Sequence, residues 1–496
     1  MNQATSGTAF VRLLGEWRRG AAPVYRELAD VVRLLILDGR LPLDSSLPSE
    51  RALAVALGVS RTTVTTAYNE LREEGFLSAG QGTRARSCIP SQTRDLELLT
   101  LRQNYAAGLR APDGVVDFAY ACLPANGAVV HQAYTAALSE LPALLPGFGY
   151  DSVGLPELRE AIAARFTAEG LPTTVDQVMV TAGAQQAMSL ALSAFTSPGQ
   201  RAVIEHPSYP HAFDAIAAHG CKAVPIAFPE DGPWDTEALE TALARHRPAV
   251  AYLIPDFHNP TGRLMPVEQR RRVARAASAS GTVLIADETL RAIGFDGAAP
   301  AHLGSFAPGV VTIGSLSKTH WGGLRIGWAR SSTENIRRMS QARTALDLGG
   351  PVAEQLAARH VLQRDLVGLP ERLVELREQR DVLTGLLREH LPDWRFTLPE
   401  GGLSLWCALP RSARSSAETL SSSALTMLTA PRGVRLAAGP RFGVGGAFDS
   451  HLRLPFTQPP ELLERGILAL RDAVRELRTT PGLRRRLPEP PAVAIA

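Results

Sequence analysis

The sequence predicts two folded units, a small and mainly helical unit followed by a larger α/β domain. Apolar residues recur at helical spacing between Val24 and Leu71, and a glycine-containing stretch suited to a small two-stranded wing follows them. Between about Val115 and Leu477, helical and strand-like runs alternate, as they do in α/β domains. A helical unit with a β wing is therefore expected before an α/β domain.

The boundaries follow from where these patterns stop. Residues 87–113 lack sustained periodicity and contain proline and glycine, which is typical of a linker. The segment 481–496 contains four prolines and predicts a disordered tail. We therefore expect the two folded units at 20–86 and 114–480.

Composition restricts the classes of function. Of the 496 residues, 45% are hydrophobic and 20% are charged, which is typical of soluble globular proteins, and the net charge is only +3. Any contact with DNA must therefore come from a local arrangement of residues. No apolar signal segment follows Met1, and the widely separated cysteines show no metal-ligand spacing, so we expect a cytoplasmic protein without a bound metal or a membrane association. These cysteines are Cys88, Cys122, Cys221 and Cys407.

The small unit contains a helix start of a particular kind. Gly58 stands where a left-handed residue ends one helix, and Ser60 stands where a side chain caps the next. That cap would bring Arg61, Thr62 and Thr63 together on an exposed first turn. Arginine can donate to guanine edges or phosphates and threonine hydroxyls to phosphate oxygens, so this turn is a candidate DNA contact.

The surrounding motifs identify the type of unit. Residues 25–83 resemble the winged helix-turn-helix of GntR-family regulators, through Leu47-Pro48-Ser49-Glu50-Arg51, the run 57–64, Glu74-Gly75-Phe76-Leu77 and Gly80-Gln81-Gly82-Thr83. The resemblance implies that the unit binds double-stranded DNA at an operator. It also implies the contact residues, which are Arg51, Arg61, Thr62, Thr63 and, in a wing beside the minor groove, Gly82.

In the larger domain, one lysine stands out because lysine is so rare. The chain has two lysines, Lys222 and Lys318, among 52 basic residues. A cofactor aldehyde needs a lysine amine to form a Schiff base, and Lys318 is the candidate because hydroxyl residues and an arginine that could bind a phosphate surround it. Backbone amides at a helix start could bind the same phosphate. These candidate phosphate ligands are Ser315, Ser317, Arg325 and the run Gly183-Ala184-Gln185.

Four further residues suit the remainder of an aromatic cofactor and an amino-acid ligand. Asp287 follows the buried strand 283–286 and could keep a pyridine nitrogen protonated. Asn259 could donate to the ring hydroxyl oxygen, and Tyr209 could stack on the ring. Arg453 could bind the carboxylate of a substrate or effector through two hydrogen bonds.

These motifs, in the order in which they occur along the chain, resemble those of class I aminotransferases across residues 115–477. The resemblance implies the aspartate aminotransferase-like fold, fold type I of pyridoxal-phosphate (PLP) enzymes, with PLP as cofactor. It implies that Tyr150 reaches the phosphate of the neighbouring subunit. Thr289 departs from the family, which usually has a tyrosine at this position that bonds the ring oxygen. Thr289 therefore favours retained binding of the cofactor over retained catalysis.

A GntR-type unit joined to an aminotransferase-like domain is similar to the MocR subgroup of GntR regulators. That resemblance implies a homodimeric transcription regulator that senses PLP or its adduct with an amine. Two alternatives stay open at this point. One is a weakly or fully active aminotransferase with an accessory DNA-binding unit, and the other is a DNA-binding protein whose effector domain is inactive. Lys318 would be the catalytic residue of the former.

Overall fold

The computed structural model describes residues 7–15, 17–18, 23–37, 41, 45–78, 84–88, 114–229, 234–297, 300–363, 368–410 and 420–480. The chain divides into two compact units, Met1–Ala111 and Pro112–Ala496. Most of the expected linker, the tip of the wing with Gly82, and the expected tail lie outside the described residues.

In its described residues, the N-terminal unit consists of four helices and a short antiparallel hairpin. The helices are α1 (Gly7–Leu14), α2 (Val24–Leu37), α3 (Glu50–Leu57) and α4 (Arg61–Glu73), and the hairpin strands are β1 (Leu77–Ser78) and β2 (Arg86–Ser87). The helical unit and the small two-stranded wing that the sequence predicts are confirmed by these elements. Helix α1 was not expected, and it buries Phe10 and Leu14 in the core of the unit.

The larger unit contains a seven-stranded sheet and a four-stranded sheet. The order in the large sheet is β4-β10-β9-β8-β7-β5-β6, in which β10 alone runs antiparallel to its neighbours. Its strands are β4 (Val178–Thr181), β5 (Arg201–His206), β6 (Lys222–Ala227), β7 (Val250–Leu253), β8 (Val283–Asp287), β9 (Val311–Ser315) and β10 (Gly327–Arg330).

The small sheet has the order β11-β13-β12-β3, and only the β12–β3 pair is parallel. It consists of β3 (Val116–Phe118), β11 (Ser404–Ala408), β12 (Val434–Ala438) and β13 (His451–Pro455). One face of this sheet packs into an apolar core with Leu452 and Leu454, which alternate with residues that point to the opposite face.

Eleven α-helices in the described part of this unit accompany the two sheets. They are α5 (Gly127–Glu140), α6 (Pro156–Ala168), α7 (Ala184–Phe195), α8 (Pro210–Ala218), α9 (Thr236–His246), α10 (Val267–Ser280), α11 (Thr333–Arg343), α12 (Val352–Gln363), α13 (Leu369–His390), α14 (Ser422–Thr429) and α15 (Pro460–Thr479). Within the ranges described above, every helix is too short or too polar to cross a lipid bilayer.

Candidate functional site

The first turn of α4 has the geometry that the sequence predicts. Gly58 adopts the left-handed conformation (φ 66°), and the Ser60 hydroxyl accepts a hydrogen bond from the Thr63 amide at 3.0 Å. The Ser60 and Thr63 hydroxyl oxygens are also 2.8 Å apart, so Thr63 helps to cap the helix. Arg61 and Thr62 are exposed beside this cap, where they can contact a ligand outside the helix.

Helix α4 is fixed against α3 by polar contacts that leave its N-terminus uncovered. The buried Tyr68 hydroxyl donates to the Pro48 carbonyl at 3.0 Å, and Thr65 donates to the Glu50 carboxylate at 2.8 Å. Arg51 is exposed on the first turn of α3. These contacts hold the two helices in a defined orientation, which helix-turn-helix docking requires.

In the large sheet, the candidate cofactor residues follow strands that end at one edge. Asp287 ends β8 and Ser315 ends β9, and these strands are parallel neighbours. Gly327 of β10 pairs with both Ser315 and Thr181, which brings the loop after β4 beside the loop after β9. Ligands of α/β sheets bind at this carboxyl edge of the strands.

The candidate phosphate site lies where α7 begins. Gly183 has a φ of 82°, and a Cβ atom there would lie 2.8 Å from Arg325 Nη2. Arg325 donates to the Ala182 carbonyl at 2.7 Å, and the hydroxyl oxygens of Ser315 and Ser317 are 2.8 Å apart. A guanidinium, two hydroxyls and the N-terminal amides of a helix are donors that suit a phosphate dianion. The Gln185 side chain points elsewhere and donates to the His211 carbonyl at 3.3 Å.

Lys318 is half-buried next to this site. Its amine donates to the Ala121 carbonyl at 2.9 Å, and it interacts electrostatically with Asp287. Burial lowers the pKa of the Lys318 amine. A lowered pKa increases the fraction of neutral amine, which is the nucleophilic form that an aldehyde needs.

Asp287 accepts hydrogen bonds on both of its oxygens. The Tyr252 hydroxyl donates to Oδ2 at 2.6 Å, while the Thr289 amide and hydroxyl donate to Oδ1 at 3.0 and 2.7 Å. Burial raises the pKa of Asp287, and these hydrogen bonds act in the opposite direction. Tyr252 was not among the residues predicted from the sequence. Its only signal was a tyrosine within the apolar strand β7, the neighbour of β8.

Arg453 and Asn259 come together although they are far apart in sequence. Arg453 is fully buried, donates to Asn259 Oδ1 at 3.3 Å and to the Ala119 carbonyl, and lies 5.0 Å from the centre of the Phe442 ring. Burial lowers the pKa of Arg453 to about 10, which leaves it charged at neutral pH. Tyr209, at the start of α8, is partly buried, and burial raises the pKa of its hydroxyl.

Behind Asp287, the next residue belongs to a buried ionic network. Glu288 contacts His302 Nδ1, and His302 Nε2 lies 3.0 Å from Glu169. Burial disfavours the charged imidazole, but the two carboxylates outweigh it and the pKa of His302 is raised. These groups border a cavity of about 40 Å³ that Thr289 and Ser315 also line. The network supports the segment that carries Asp287.

Tyr150 lies apart from the other candidates, on the surface. Its side chain is 74% exposed, and Phe148 is 97% exposed. Within this unit, neither contributes to the phosphate site around Gly183. Other large exposed apolar side chains in the unit include Leu138, Leu145, Leu346 and Leu348.

Two protein families match the chain over its two units. Residues 24–86 match the gntR family of bacterial regulatory proteins, and residues 148–470 match the class I and II aminotransferases. The HTH-type transcriptional regulator YdeF of Bacillus subtilis is 28% identical over 470 residues, which are 92% of this chain and 95% of YdeF. The chain is thus a MocR-type regulator and belongs to the class I and II aminotransferase family. The HTH-type transcriptional regulator YjiR of Escherichia coli is 26% identical over 464 residues, which are 88% of this chain and 95% of YjiR.

Enzymes resemble the larger unit of this MocR-type regulator. The 2-aminoadipate transaminase of Thermus thermophilus is 33% identical over 323 residues, which are 63% of this chain and 79% of the enzyme. The crystal structure of LysN from the same species, an α-aminoadipate aminotransferase complexed with a phosphopyridoxyl-leucine, has a TM-score of 0.66 and 29% identity, and covers 75% of this chain and 95% of LysN. The predicted fold class is therefore confirmed, and this fold implies PLP.

Proposed function

We propose that this MocR-type regulator binds PLP and senses the cofactor, or its adduct with an amino compound, by changing its affinity for operator DNA. When bound, PLP supplies an aldehyde that captures amines and a ring nitrogen that withdraws electrons. The residues around Gly183 fit its phosphate, because the Gly183–Arg325 approach leaves no room for a side chain and gathers donors for an anion. Lys318 would hold the aldehyde end, Asp287 the ring nitrogen, Asn259 the ring oxygen and Tyr209 the ring face.

The GntR-family match of residues 24–86 and the similarity of almost the whole chain to an HTH-type regulator support a sensor over an enzyme, and the hydrogen bond from Thr289 to Asp287 is consistent with a sensor. The family's usual tyrosine would bond the ring oxygen, whereas the Thr289 hydroxyl lies 2.7 Å from Asp287 Oδ1. The described site therefore has groups that would hold a cofactor, and we propose that Thr289 does not replace the tyrosine that would bond the ring oxygen. Arg453 would bind the effector's carboxylate. Slow or absent turnover is expected of such a site.

We also propose that two copies of the chain form a cytoplasmic homodimer. The exposed Tyr150 and Phe148 support this, because large exposed aromatic side chains mark interaction surfaces. The partner subunit would cover this surface, and each Tyr150 would reach the phosphate site of the other subunit. A dimer would also present two recognition helices to paired half-sites through Arg51, Arg61, Thr62 and the Gly82 wing, with Thr63 at the helix cap. The domain boundaries remain those expected from the sequence, 20–86 and 114–480.

An active aminotransferase is the second candidate function. Its support is the 33% identity with a transaminase and the presence of Lys318, Asp287 and Arg453. This candidate predicts rapid transamination of an amino acid by the protein loaded with PLP. It predicts no effect of cofactor or amine on DNA binding.

The experiment that separates the two candidates measures operator affinity and turnover on one preparation of the full chain. A sensor should change its operator affinity about 5- to 150-fold when PLP or an amine is added, which is the usual range of allosteric coupling. Its steady-state transamination should be slow. Rapid turnover with an unchanged operator affinity would reject the sensor in favour of the enzyme.

A further inference from the structure

One side chain in the first turn of α7, that of Gln186, is bonded to the backbone of the turn before the helix. Its Oε1 atom accepts a hydrogen bond from the Ala182 amide at 2.6 Å. Helix α7 starts after Gly183, which has no side chain that could cap the first amides. Uncapped amides at a helix start are donors for an anion. Gln186 therefore supports the turn that carries the candidate phosphate site without occupying the donors of that site.

Three consecutive peptide units lead into α7, and a different side chain holds each of them. Gln186 accepts from the amide of the first unit. Arg325 donates to the carbonyl of the second unit at 2.7 Å, and the Thr181 hydroxyl donates to that of the third, the Gly183 carbonyl, at 2.9 Å. Because a peptide unit is planar, a held carbonyl also orients the amide of its unit. The amides oriented in this way belong to Gly183 and Ala184.

The other end of the Gln186 side chain is held from outside the turn. Its Nε2 atom donates to Asp347 Oδ2, and Asp347 Oδ1 accepts from Arg343 Nε and from the Gly349 amide. Arg343 is fully buried, and its Nη1 atom donates to the Val180 carbonyl at 2.7 Å. Val180 lies in β4, directly before the turn. This chain of bonds therefore leaves the β4–α7 segment at Gln186 and returns to it at Val180.

The loss of the Gln186 amide would release only the first of the three peptide units. Arg325 and Thr181 would still hold the other two, so the turn should keep its fold while its amides become less well aligned. Aligned donors bind a ligand more tightly than mobile donors, because less conformational freedom is lost on binding. The expected consequence is weaker binding of an anion by a folded protein.

We propose that Gln186 and Asp347 are positioning residues for the phosphate group of PLP. Asp347 orients the Gln186 amide group, and Gln186 orients the first peptide unit of the turn. The amides that follow then meet the phosphate without rearrangement, and neither side chain contacts the cofactor itself. This inference rests on the proposed binding of PLP.

The test compares PLP with pyridoxal, which lacks the phosphate group. Both are titrated into the full chain freed of cofactor, and the cofactor absorbance gives each dissociation constant. The ratio of the pyridoxal constant to the PLP constant measures what the phosphate contributes to affinity. Thermal melts verify that each variant is folded.

Two variants and one control suit this comparison. Gln186→Met keeps the length of the side chain but makes neither hydrogen bond. Asp347→Asn keeps one acceptor oxygen for the bonds that two carboxylate oxygens now accept. Gln341→Met replaces an exposed glutamine on α11 and is the matched control.

In Gln186→Met we expect the ratio to fall about 3- to 10-fold, which is the usual effect of losing one hydrogen bond. The affinity for pyridoxal should change little, because pyridoxal has no group that needs the aligned amides. Asp347→Asn should lower the ratio by a smaller factor, since it can still accept from Gln186. Gln341→Met should keep the ratio of the unaltered chain.

Two results would overturn the positioning role. One is an unchanged ratio in both folded variants, and the other is an equal loss of affinity for PLP and pyridoxal, which a merely structural role would give. Failure of the sensing function gives a different result. In that case operator affinity would not respond to PLP, while the ratio would still fall in Gln186→Met. Absence of PLP binding to the unaltered chain would overturn both proposals.

Discussion

The two candidate binding regions of this chain differ in how their side chains are held. At the start of α4, Arg61 and Thr62 are exposed, and a local cap by Ser60 positions them. At the edge of the large sheet, Lys318 is half-buried and Asp287 is buried, and both are already hydrogen-bonded to groups far away in sequence. A change in the first region should therefore affect one function, and a change in the second should affect folding and binding together.

The largest effect is expected from Lys318→Ala. Lys318 is the only lysine in the described part of the site, so its loss should abolish any covalent adduct with PLP that borohydride can trap. Mass spectrometry of the reduced protein measures the adduct. Lys222→Ala is the control, because Lys222 is exposed on β6. A trapped adduct in Lys318→Ala would show that this assignment is wrong.

Tyr252→Phe should show how a change at a buried residue affects both folding and cofactor binding. It removes the donor to Asp287 Oδ2, and a hydrogen bond to a charged group contributes about 1.5–3 kcal/mol. We expect cofactor affinity to fall about tenfold or more and the pH midpoint of the cofactor absorbance to move. Tyr134→Phe, on α5, is the control. A lower melting temperature with an unchanged pH midpoint of the cofactor absorbance would show that Tyr252 only supports the fold.

Arg61→Ala should affect DNA binding alone. An arginine that reads a base contributes about 1–3 kcal/mol, so its loss should weaken operator binding and relax specificity at one position. If Arg61 contacts only phosphate, its loss should weaken binding to all DNA sequences alike, and the affinity should depend less steeply on salt concentration. Arg12→Ala, an exposed arginine on α1, should leave the affinity unchanged. Unchanged operator affinity in folded Arg61→Ala would exclude both contacts.

The smallest effect is a pH-dependent loss of stability in His302→Gln. Because the folded pKa of His302 is raised, its stabilising contribution is complete below its unfolded pKa, about 6.5, and is lost as pH rises through the folded value. In denaturant unfolding, the substitution should therefore lower the free energy of unfolding by about 1 kcal/mol more at pH 6 than at pH 9. His131→Gln, exposed on α5, should show no such difference. Equal losses at both pH values in His302→Gln would contradict the raised pKa.

The sequence predicted the features that local chemistry determines. The Gly58 and Ser60 caps depend on neighbouring residues, and they were found where their patterns indicated. The alternation of strands and helices likewise predicted the class of the larger unit. Helix α1 was missed because its eight residues are too few for a clear periodicity, and its stability comes from burying Phe10 against the other helices.

The partners within the site could not be predicted, because they depend on contacts between distant segments. Tyr252 reaches Asp287 from the neighbouring strand, and Arg453 reaches Asn259 across 194 positions of sequence. Sequence motifs identified Asp287 and Asn259 as candidates but could not identify their hydrogen-bond partners. Thr289 shows the same limit. Its sequence position suggested that a hydrogen-bond donor to the ring oxygen is missing, and only the structure shows that its hydroxyl donates to Asp287.

The central claim is that cofactor binding and operator binding are coupled, and linkage gives its most direct test. If PLP changes operator affinity by a given factor, operator DNA must change the affinity for PLP by the same factor. The measurement is the PLP dissociation constant of the full chain, with and without saturating operator. We predict a difference of about 5- to 150-fold that equals the effect of PLP on operator affinity. Identical PLP dissociation constants, with operator demonstrably bound, would contradict the claim.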